Sequence, residues 1–204
     1  MNKRPIFITG IGTGIGKTVI SAIIVEKLQA DYWKPIQSGD LDNSDTLTVQ
    51  NLVSNSTTVF HPEAYRLTQP YSPHKSAQLD GIIIHPAHII IPQTQNQLII
   101  EGAGGLMVPL NDNFFIIDLI KQLDAEVMLV SKNYLGSINH TLLSIEALKN
   151  RNIPLKGIVI NGDADEYSEA IIANACNNTI LGHIPIHNVI DKNVIKRSTT
   201  FINI

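Results

Sequence analysis

Cysteine is nearly absent from this sequence. The 204 residues contain one, Cys176, so no disulfide can form within the chain. A free thiol is typical of proteins that work in a reducing compartment, and we expect a cytoplasmic protein. Because a lone cysteine usually behaves as a small apolar residue, we expect Cys176 to be buried rather than reactive.

The sequence also lacks an excess of basic residues and any long apolar run. The formal net charge is −3 and the isoelectric point is near 6.1, so nothing favours a nucleic-acid partner. The most apolar stretch, residues 81–91, is interrupted by His85, Pro86 and His88. The apolar run near the N-terminus, residues 6–8, is too short for a signal peptide. These features predict a protein without a membrane segment.

A glycine-rich stretch, GIGTGIGKT at residues 10–18, is the most informative feature present. It lies between a β-prone segment at residues 5–9 and a predicted helix at residues 19–28, which is the context of a phosphate-binding loop. In such a loop, Lys17 neutralises the β- and γ-phosphates and Thr18 binds Mg²⁺. The first glycine stands one residue too early for the strict motif, so this is a lengthened variant. The alternative is a glycine-rich turn with a chance Lys-Thr pair, which the flanking elements disfavour.

Apolar strands alternate with helices along the rest of the chain. Strands are predicted at residues 97–101, 126–130, 155–161 and 179–185, with a strand end at 32–33 and helices at 45–52, 138–150 and 167–176. Because the strands are continuous apolar runs, each should be buried on both faces, as in a doubly wound α/β fold with a mainly parallel sheet. No repeat or linker interrupts the pattern, and we predict one P-loop NTPase-like domain over residues 1–204. Residues 35–39 and 55–78 are predicted to be connections, and residues 81–92 have no clear assignment.

Five segments directly follow predicted strands: residues 10–18, 34–38, 101–105, 134–139 and Asn161. Ligands in doubly wound sheets bind at the carboxyl ends of the strands, so we expect these segments to converge on one crevice. Lys34 would there stabilise charge that develops on a transferring phosphoryl group. The alternative for Lys34 is an ordinary exposed lysine.

Three oxygen-bearing side chains could bind magnesium at this crevice. They are Thr18, Asp45 in the first turn of a predicted helix, and Glu101 at the end of an apolar strand. Mg²⁺ prefers a few hard oxygens together with water and phosphate. The alternatives are that Asp45 only favours the helix dipole and that Glu101 is a solvated acid at a strand end.

Two further segments are candidates for ligand contacts. Gly136, Ser137 and Asn139 stand at a predicted helix N-terminus, which is a suitable site for a substrate carboxylate. The alternative there is an ordinary helix cap by Ser137. Asn161 could hydrogen-bond the edge of a base, or form a turn with Gly162. The histidines show no metal-binding spacing.

Taken in order, these motifs resemble those of the dethiobiotin synthetase family over nearly the whole chain. The matching segments are residues 9–18, 34–35, 38–39, 43–45, 72–74, 101–105, 135–140 and 182–185. The phosphate-binding loop alone is shared by many ATPases, whereas the ordered set is much more specific.

The resemblance implies an ATP- and Mg²⁺-dependent ligase of biotin biosynthesis. Such an enzyme joins CO₂, or bicarbonate, to 7,8-diaminononanoate and closes the ureido ring of dethiobiotin. One substrate amine forms a carbamate, ATP phosphorylates the carbamate oxygen, and the second amine displaces phosphate. The resemblance also implies a homodimer with the substrate site at its interface.

The family's site residues carry over position by position. The resemblance implies that Lys17 and Lys34 are catalytic and that Thr18, Asp45 and Glu101 bind Mg²⁺. The implied substrate-binding residues are Thr13, Ser38, Leu135, Gly136, Ser137 and Asn139. The implied ATP-binding residues are Gly12, Thr13, Gly14, Ile15, Gly16, Lys17, Thr18, Asp45, Glu101, Gly102, Ala103, Gly104, Asn161, Ile184 and Pro185, the last three at the adenine.

Two related classes are rival interpretations. A ParA/MinD-like nucleotide-switch ATPase would share the fold, but its loop carries a signature lysine where this chain has Gly12. A cobyrinic acid amidating synthase would need a separate glutaminase domain with a catalytic cysteine, for which this chain has no room. A nucleotide binder without catalysis is disfavoured by the intact lysines and acids.

Overall fold

The computed structural model describes residues 3–177 and 179–204. The strands are β1 (Ile6–Gly10), β2 (Asp31–Trp33), β3 (Ile36–Ser38), β4 (Phe60–His61), β5 (Tyr65–Leu67), β6 (Leu98–Gly105), β7 (Pro109–Asn111), β8 (Phe114–Phe115), β9 (Glu126–Ser131), β10 (Leu155–Asn161) and β11 (Ile180–Ile184). The helices are α1 (Lys17–Leu28), α2 (Asp45–Leu52), α3 (Pro73–Leu79), α4 (Ile116–Gln122), α5 (Ser137–Asn150), α6 (Glu166–Ala175) and α7 (Lys192–Ser198). Short 3₁₀ turns cover Leu41–Asn43, Pro86–His88 and Thr199–Phe201.

Within those residues, seven parallel strands form the central sheet in the order β11-β10-β9-β1-β6-β2-β4. β1 lies in the middle, between β6 on one side and β9 on the other. The strand order reverses there, so the carboxyl end of β1 opens onto the position where such sheets bind ligands. The prediction of a doubly wound parallel sheet is confirmed.

Both faces of the sheet are covered by helices. In β1, Ile6 and Ile8 face a core layer that includes Ile20 of α1, whereas Phe7 faces the opposite layer with Ile145 of α5. Successive strand side chains alternate between faces, so a continuous apolar run is stable only where both faces are buried. This is the physical reason that the strand sequences do not alternate with polar residues.

Most predicted elements are present, with bounds that differ by one or two residues. Ser44 caps α2, because its side chain accepts a hydrogen bond from the Leu47 N–H. Cys176 is buried, as expected. No helix in the described part of the chain is long and apolar enough to cross a membrane.

Three predictions about connections are wrong. Residues 36–38, predicted as loop, form β3 and pair in parallel with β5. Residues 55–78, predicted as one polar connection, contain β4, β5 and α3. The strand predicted to end at Glu101 continues to Gly105, which pairs with Gly10 of β1 after an irregularity in the register. The β7–β8 hairpin, α4 and α7 were not predicted.

Candidate active site

The phosphate-binding loop connects the middle strand to α1. β1 ends at Gly10 and α1 begins at Lys17. Gly14 and Gly16 have φ angles of 72° and 93°, in the left-handed region that favours glycine. A Cβ on Gly16 would lie 2.2 Å from Nδ2 of Asn161, so a side chain there would clash. The glycines therefore let the loop pack closely against Asn161.

Asn161 holds the phosphate-binding loop in place through a side-chain hydrogen bond. It ends β10, and its Nδ2 donates a hydrogen bond of 2.8 Å to the Ile15 carbonyl. This contact ties the loop to a strand on the other side of β9. The sequence did not predict it, and the base contact suggested for Asn161 stays a prediction.

Lys17 is held inside the loop. It is 8% exposed, and its Nζ donates a hydrogen bond of 3.0 Å to the Gly12 carbonyl. Burial lowers the pKa of Lys17, and the charge on Glu101 offsets this only in part. The ammonium thus lies beside the loop amides, where it can reach a bound phosphate.

Three predicted metal ligands come together next to the loop. Oγ1 of Thr18 lies 2.9 Å from Oδ1 of Asp45 and 2.9 Å from Oε1 of Glu101. Thr18 stands in the first turn of α1, Asp45 begins α2, and Glu101 lies on β6. The site therefore depends on three elements that are distant in sequence.

The chemistry of this set fits magnesium bound together with nucleotide. In the described residues, no group of three or more histidines, cysteines, aspartates or glutamates could hold a metal alone. Mg²⁺ does not need one, since it is usually bound by one or two carboxylates, water and substrate phosphates. Asp45 and Glu101 each place a carboxylate oxygen 2.9 Å from the Thr18 hydroxyl, so three hard oxygens lie together beside the phosphate-binding loop.

Lys34 lies between the two carboxylates and is not an exposed lysine. Its Nζ forms an ion pair with Oδ2 of Asp45 and lies 3.3 Å from Oε1 of Glu101. Burial alone would lower the pKa of Lys34, but Glu101 and Asp45 outweigh burial and raise it. Burial would likewise raise the pKa of Asp45, but Lys34 outweighs this and lowers it. Lys34 is therefore a fixed positive charge in the site.

Two buried residues that contact Glu101 and Asp45 were missed by sequence reasoning. The hydroxyl of Tyr32 donates a hydrogen bond of 2.9 Å to Oε2 of Glu101. Burial, and then the charge on Glu101, raise the pKa of Tyr32 well above its usual value. Oε1 of Gln37 accepts a hydrogen bond of 3.2 Å from the Asp45 N–H. The only sequence signal is that Tyr32 stands two residues before Lys34, a spacing that places both side chains on one side of an extended chain.

A cleft of about 730 Å³ opens above these groups. Predicted site residues that line it are Thr13, Gly14, Gly16, Lys17, Thr18, Lys34, Ser38, Asp45, Glu101, Ala103 and Gly104. The sequence did not single out Asp40 or residues 70–71, which also line it. The Ser38 hydroxyl is buried and has no hydrogen-bond partner among the described residues.

Other predicted site residues lie outside this cleft. Leu135 and Gly136 line a separate depression with residues 163–165, and Leu135 is fully exposed. Asn139 is exposed, whereas Ser137 is buried and its Oγ accepts a hydrogen bond from the Tyr134 N–H. The remaining residues outside the cleft are Gly12, Ile15, Gly102, Asn161, Ile184 and Pro185. Of the five segments expected to converge, residues 10–18, 34–38 and 101–105 contribute to this cleft, and Asn161 contacts the loop at Ile15. Residues 134–139 do not line the cleft within a single chain.

Solved structures with a similar backbone are P-loop ATPases. The ParA family ATPase from Chlorobium tepidum has a TM-score of 0.60 at 15% identity, covering 98% of each chain. The septum site-determining protein MinD complexed with Mg-ADP from Pyrococcus horikoshii has a TM-score of 0.63 at 14% identity, covering 95% of this chain and 85% of that one. At these identities the likeness shows the fold alone.

Sequence comparison is more specific. A family model described as an AAA domain matches residues 4–193. The ATP-dependent dethiobiotin synthetase BioD of Christiangramia forsetii is 54% identical over 190 residues, which cover 93% of this chain and 91% of the relative. The synthetase of the same name from Cytophaga hutchinsonii is 52% identical over 190 residues, which cover 93% and 92%. With its phosphate-binding loop, paired carboxylates and buried lysine in one cleft, the chain belongs to the dethiobiotin synthetase family, ATP-dependent ligases that form carbon–nitrogen bonds.

Proposed function

We propose that this protein, as a single domain, makes dethiobiotin from 7,8-diaminononanoate, CO₂ and ATP with Mg²⁺. The observation that carries the proposal is the position of Lys34. Its buried ammonium lies beside Thr18, Asp45 and Glu101, at the mouth of the phosphate-binding loop. A fixed cation there is suited to a reaction in which a phosphoryl group moves to an anionic acceptor.

The proposed reaction has three balanced steps. One amine of the substrate attacks CO₂ and loses a proton, which gives a carbamate. The carbamate oxygen attacks the γ-phosphorus of ATP, and ADP leaves. The second amine attacks the carbonyl carbon of the mixed anhydride and loses a proton, the C–O bond to phosphate breaks, the ureido ring closes, and phosphate leaves.

The chain's own residues bind and orient the reactants. The backbone N–H groups of residues 12–16 and the N-terminus of α1 hold the phosphates. Lys17 and Lys34 reduce the repulsion between the carbamate and the γ-phosphate, which is the main obstacle to bringing two anions together. Thr18, Asp45 and Glu101 hold magnesium, which when bound neutralises charge on the phosphates.

The diamine occupies the cleft beside Ser38. The unpartnered Ser38 hydroxyl supports this assignment, since a buried hydroxyl without a partner is costly unless a ligand satisfies it. Residues 13 and 103–104 line the same cleft. The adenine lies toward Asn161, Ile184 and Pro185, at the carboxyl ends of the two outermost strands on that side of the sheet.

The substrate carboxylate is bound by a second copy of the chain. In one chain the turn at residues 134–139 lies outside the cleft, and Leu135 at its tip is fully exposed. Gly136 has a φ angle of 103° and immediately precedes α5, so the turn presents a helix N-terminus to its surroundings. Both features support a homodimer in which Leu135, Gly136, Ser137 and Asn139 complete the partner's site.

A direct assay tests the proposal. Purified protein is mixed with ATP, Mg²⁺, bicarbonate and 7,8-diaminononanoate, and product mass and phosphate are followed together. We expect dethiobiotin and phosphate in equal amounts. ATP hydrolysis that ignores the diamine, with ATP-dependent dimerisation, would instead favour the rival interpretation of a nucleotide-switch ATPase.

A further inference from the structure

Tyr32 is the only tyrosine of the described residues with no exposed surface. It lies on β2, between β6 and β4, and its ring centroid is 6.0 Å from that of Phe60. Its one polar atom is the hydroxyl, which donates a hydrogen bond of 2.9 Å to Oε2 of Glu101. Apolar packing holds the ring, so the position of the hydroxyl is fixed.

The two carboxylate oxygens of Glu101 have different partners. Oε1 faces the cleft and accepts from Thr18 Oγ1 at 2.9 Å and from Lys34 Nζ at 3.3 Å. Oε2 points into the protein and is occupied by Tyr32. Without the hydroxyl, Oε2 would be buried with no donor, and the carboxylate would gain by rotating away from its present orientation.

We propose that Tyr32 is a positioning residue that turns Oε1 of Glu101 toward the magnesium–nucleotide site. This inference rests on the proposed function only in taking Glu101 as a magnesium ligand. Groups that orient a metal ligand typically change metal affinity by about 10- to 100-fold when removed. A residue that only packs in the core would instead change stability and leave the metal dependence of nucleotide binding unaltered.

The test is the Tyr32→Phe variant, which keeps the ring and removes the hydroxyl. Binding of the imido analogue of ATP is measured by calorimetry in EDTA and at increasing Mg²⁺. We expect the variant to bind the analogue as wild type does in EDTA, but to need about tenfold more Mg²⁺ for half-maximal enhancement. The control is Thr58→Val. It removes a hydroxyl that donates a hydrogen bond of 2.8 Å to the Ala30 carbonyl, at the end of β2 that lies away from the cleft. We expect its Mg²⁺ dependence to match wild type.

A double-mutant cycle asks whether Tyr32 acts through Glu101. We expect Glu101→Gln to raise the Mg²⁺ requirement, and adding Tyr32→Phe to raise it little further. Equal Mg²⁺ dependence of wild type and Tyr32→Phe would overturn the inference, as would fully additive effects. Analogue binding by wild type that is indifferent to Mg²⁺ would overturn it too.

Two safeguards keep the result interpretable. If Tyr32→Phe does not fold, wild type is labelled with 3-fluorotyrosine, and the fluorine resonance of residue 32 is assigned by elimination from the five tyrosines. We expect that resonance to shift when Mg²⁺ is added to nucleotide-saturated protein, and an unmoved resonance would contradict the inference. Dethiobiotin formation by wild type is assayed separately, so a failed reaction and an unmoved Mg²⁺ dependence are distinct outcomes.

Discussion

Two buried carboxylates lie at opposite ends of the sheet, and their surroundings differ. Glu101, 1% exposed, lies at the cleft and contacts Lys34 and Thr18 as well as Tyr32. Asp31, 2% exposed, begins β2 at the opposite end. The partners of Glu101 include a cation and a hydroxyl that line the cleft, whereas those of Asp31 lie in β4 and in the loops beside β2.

The partners of Asp31 join β2 to two loops. Its Oδ1 accepts 2.9 Å hydrogen bonds from the Val59 N–H and from Nδ2 of Asn96, and its Oδ2 accepts from Thr94. Nε2 of His61 lies 3.5 Å from Oδ2. A carboxylate satisfied this fully by fixed donors stabilises the fold and has little capacity left for a ligand. Because both carboxylates are almost fully buried, it is their partners and not their burial that distinguish the one at the cleft from the one that joins β2 to its neighbours.

The largest effect is expected for Lys34→Ala, which tests the cluster of Lys34, Thr18, Asp45 and Glu101 at the cleft. We expect turnover to fall by about 10²- to 10³-fold, because the missing charge acts mainly in the transition state. ATP binding, measured by calorimetry, should be retained. The matched control is Lys121→Ala, which removes an exposed lysine at the end of α4 and should leave turnover unchanged. Normal turnover of Lys34→Ala would remove this residue from the mechanism.

Thr18→Val tests the hydroxyl shared by the two carboxylates. We expect about 10- to 100-fold weaker Mg²⁺-dependent ATP binding, because one magnesium ligand is lost without a change in side-chain shape. Thr18→Ser keeps the hydroxyl and should retain most of the binding. Both are measured by titrating Mg²⁺ at fixed ATP. An unchanged Mg²⁺ dependence of Thr18→Val would contradict the metal assignment.

Asp31→Asn tests the group of hydrogen bonds that Asp31 accepts from residues 59, 94 and 96. We expect a loss of about 1–3 kcal/mol in the free energy of unfolding, because hydrogen bonds to a buried charged acceptor are lost or reversed. For a chain of this size, each kcal/mol corresponds to about 2–4 °C in melting temperature. Turnover of the folded variant should stay within about twofold of wild type. A large loss of turnover with an unchanged melting temperature would break the distinction between the two carboxylates.

The smallest expected effect is the pH dependence of the stability difference between wild type and Asp31→Asn. Burial would raise the pKa of Asp31, but hydrogen bonds from Asn96, Thr94 and the Val59 N–H outweigh burial and lower it. Because the folded-state pKa lies below the ordinary value of 3.8, the stabilisation is complete above that value and is lost as pH falls through the folded-state pKa. The melting-temperature difference between wild type and Asp31→Asn should therefore be constant from pH 7 to about pH 5 and shrink below about pH 4. A difference that grows on acidification would contradict the lowered pKa.

Much of the site could be predicted because its signals are local. The loop at residues 10–18 combines glycines, a lysine and a threonine at fixed spacing between a strand and a helix, and each part has a local physical cause. Asp45 and Glu101 were found from their positions at a helix start and a strand end. The connections were harder, since β3 exists only because residues 36–38 find β5 as a partner.

The sequence by itself determined the alternation of buried strands and helices, the phosphate-binding loop and the residue types of the cluster formed by Thr18, Lys34, Asp45 and Glu101. Apolar runs, caps and glycine positions act over a few residues, so a sequence pattern is enough to specify them. Only the tertiary structure decided that Tyr32 contacts Glu101, that Asn161 supports the loop and that the turn at residues 134–139 lies outside the cleft. These features depend on strand order and register between segments distant in the chain, and those are fixed by the packing of the whole sheet rather than by any local pattern.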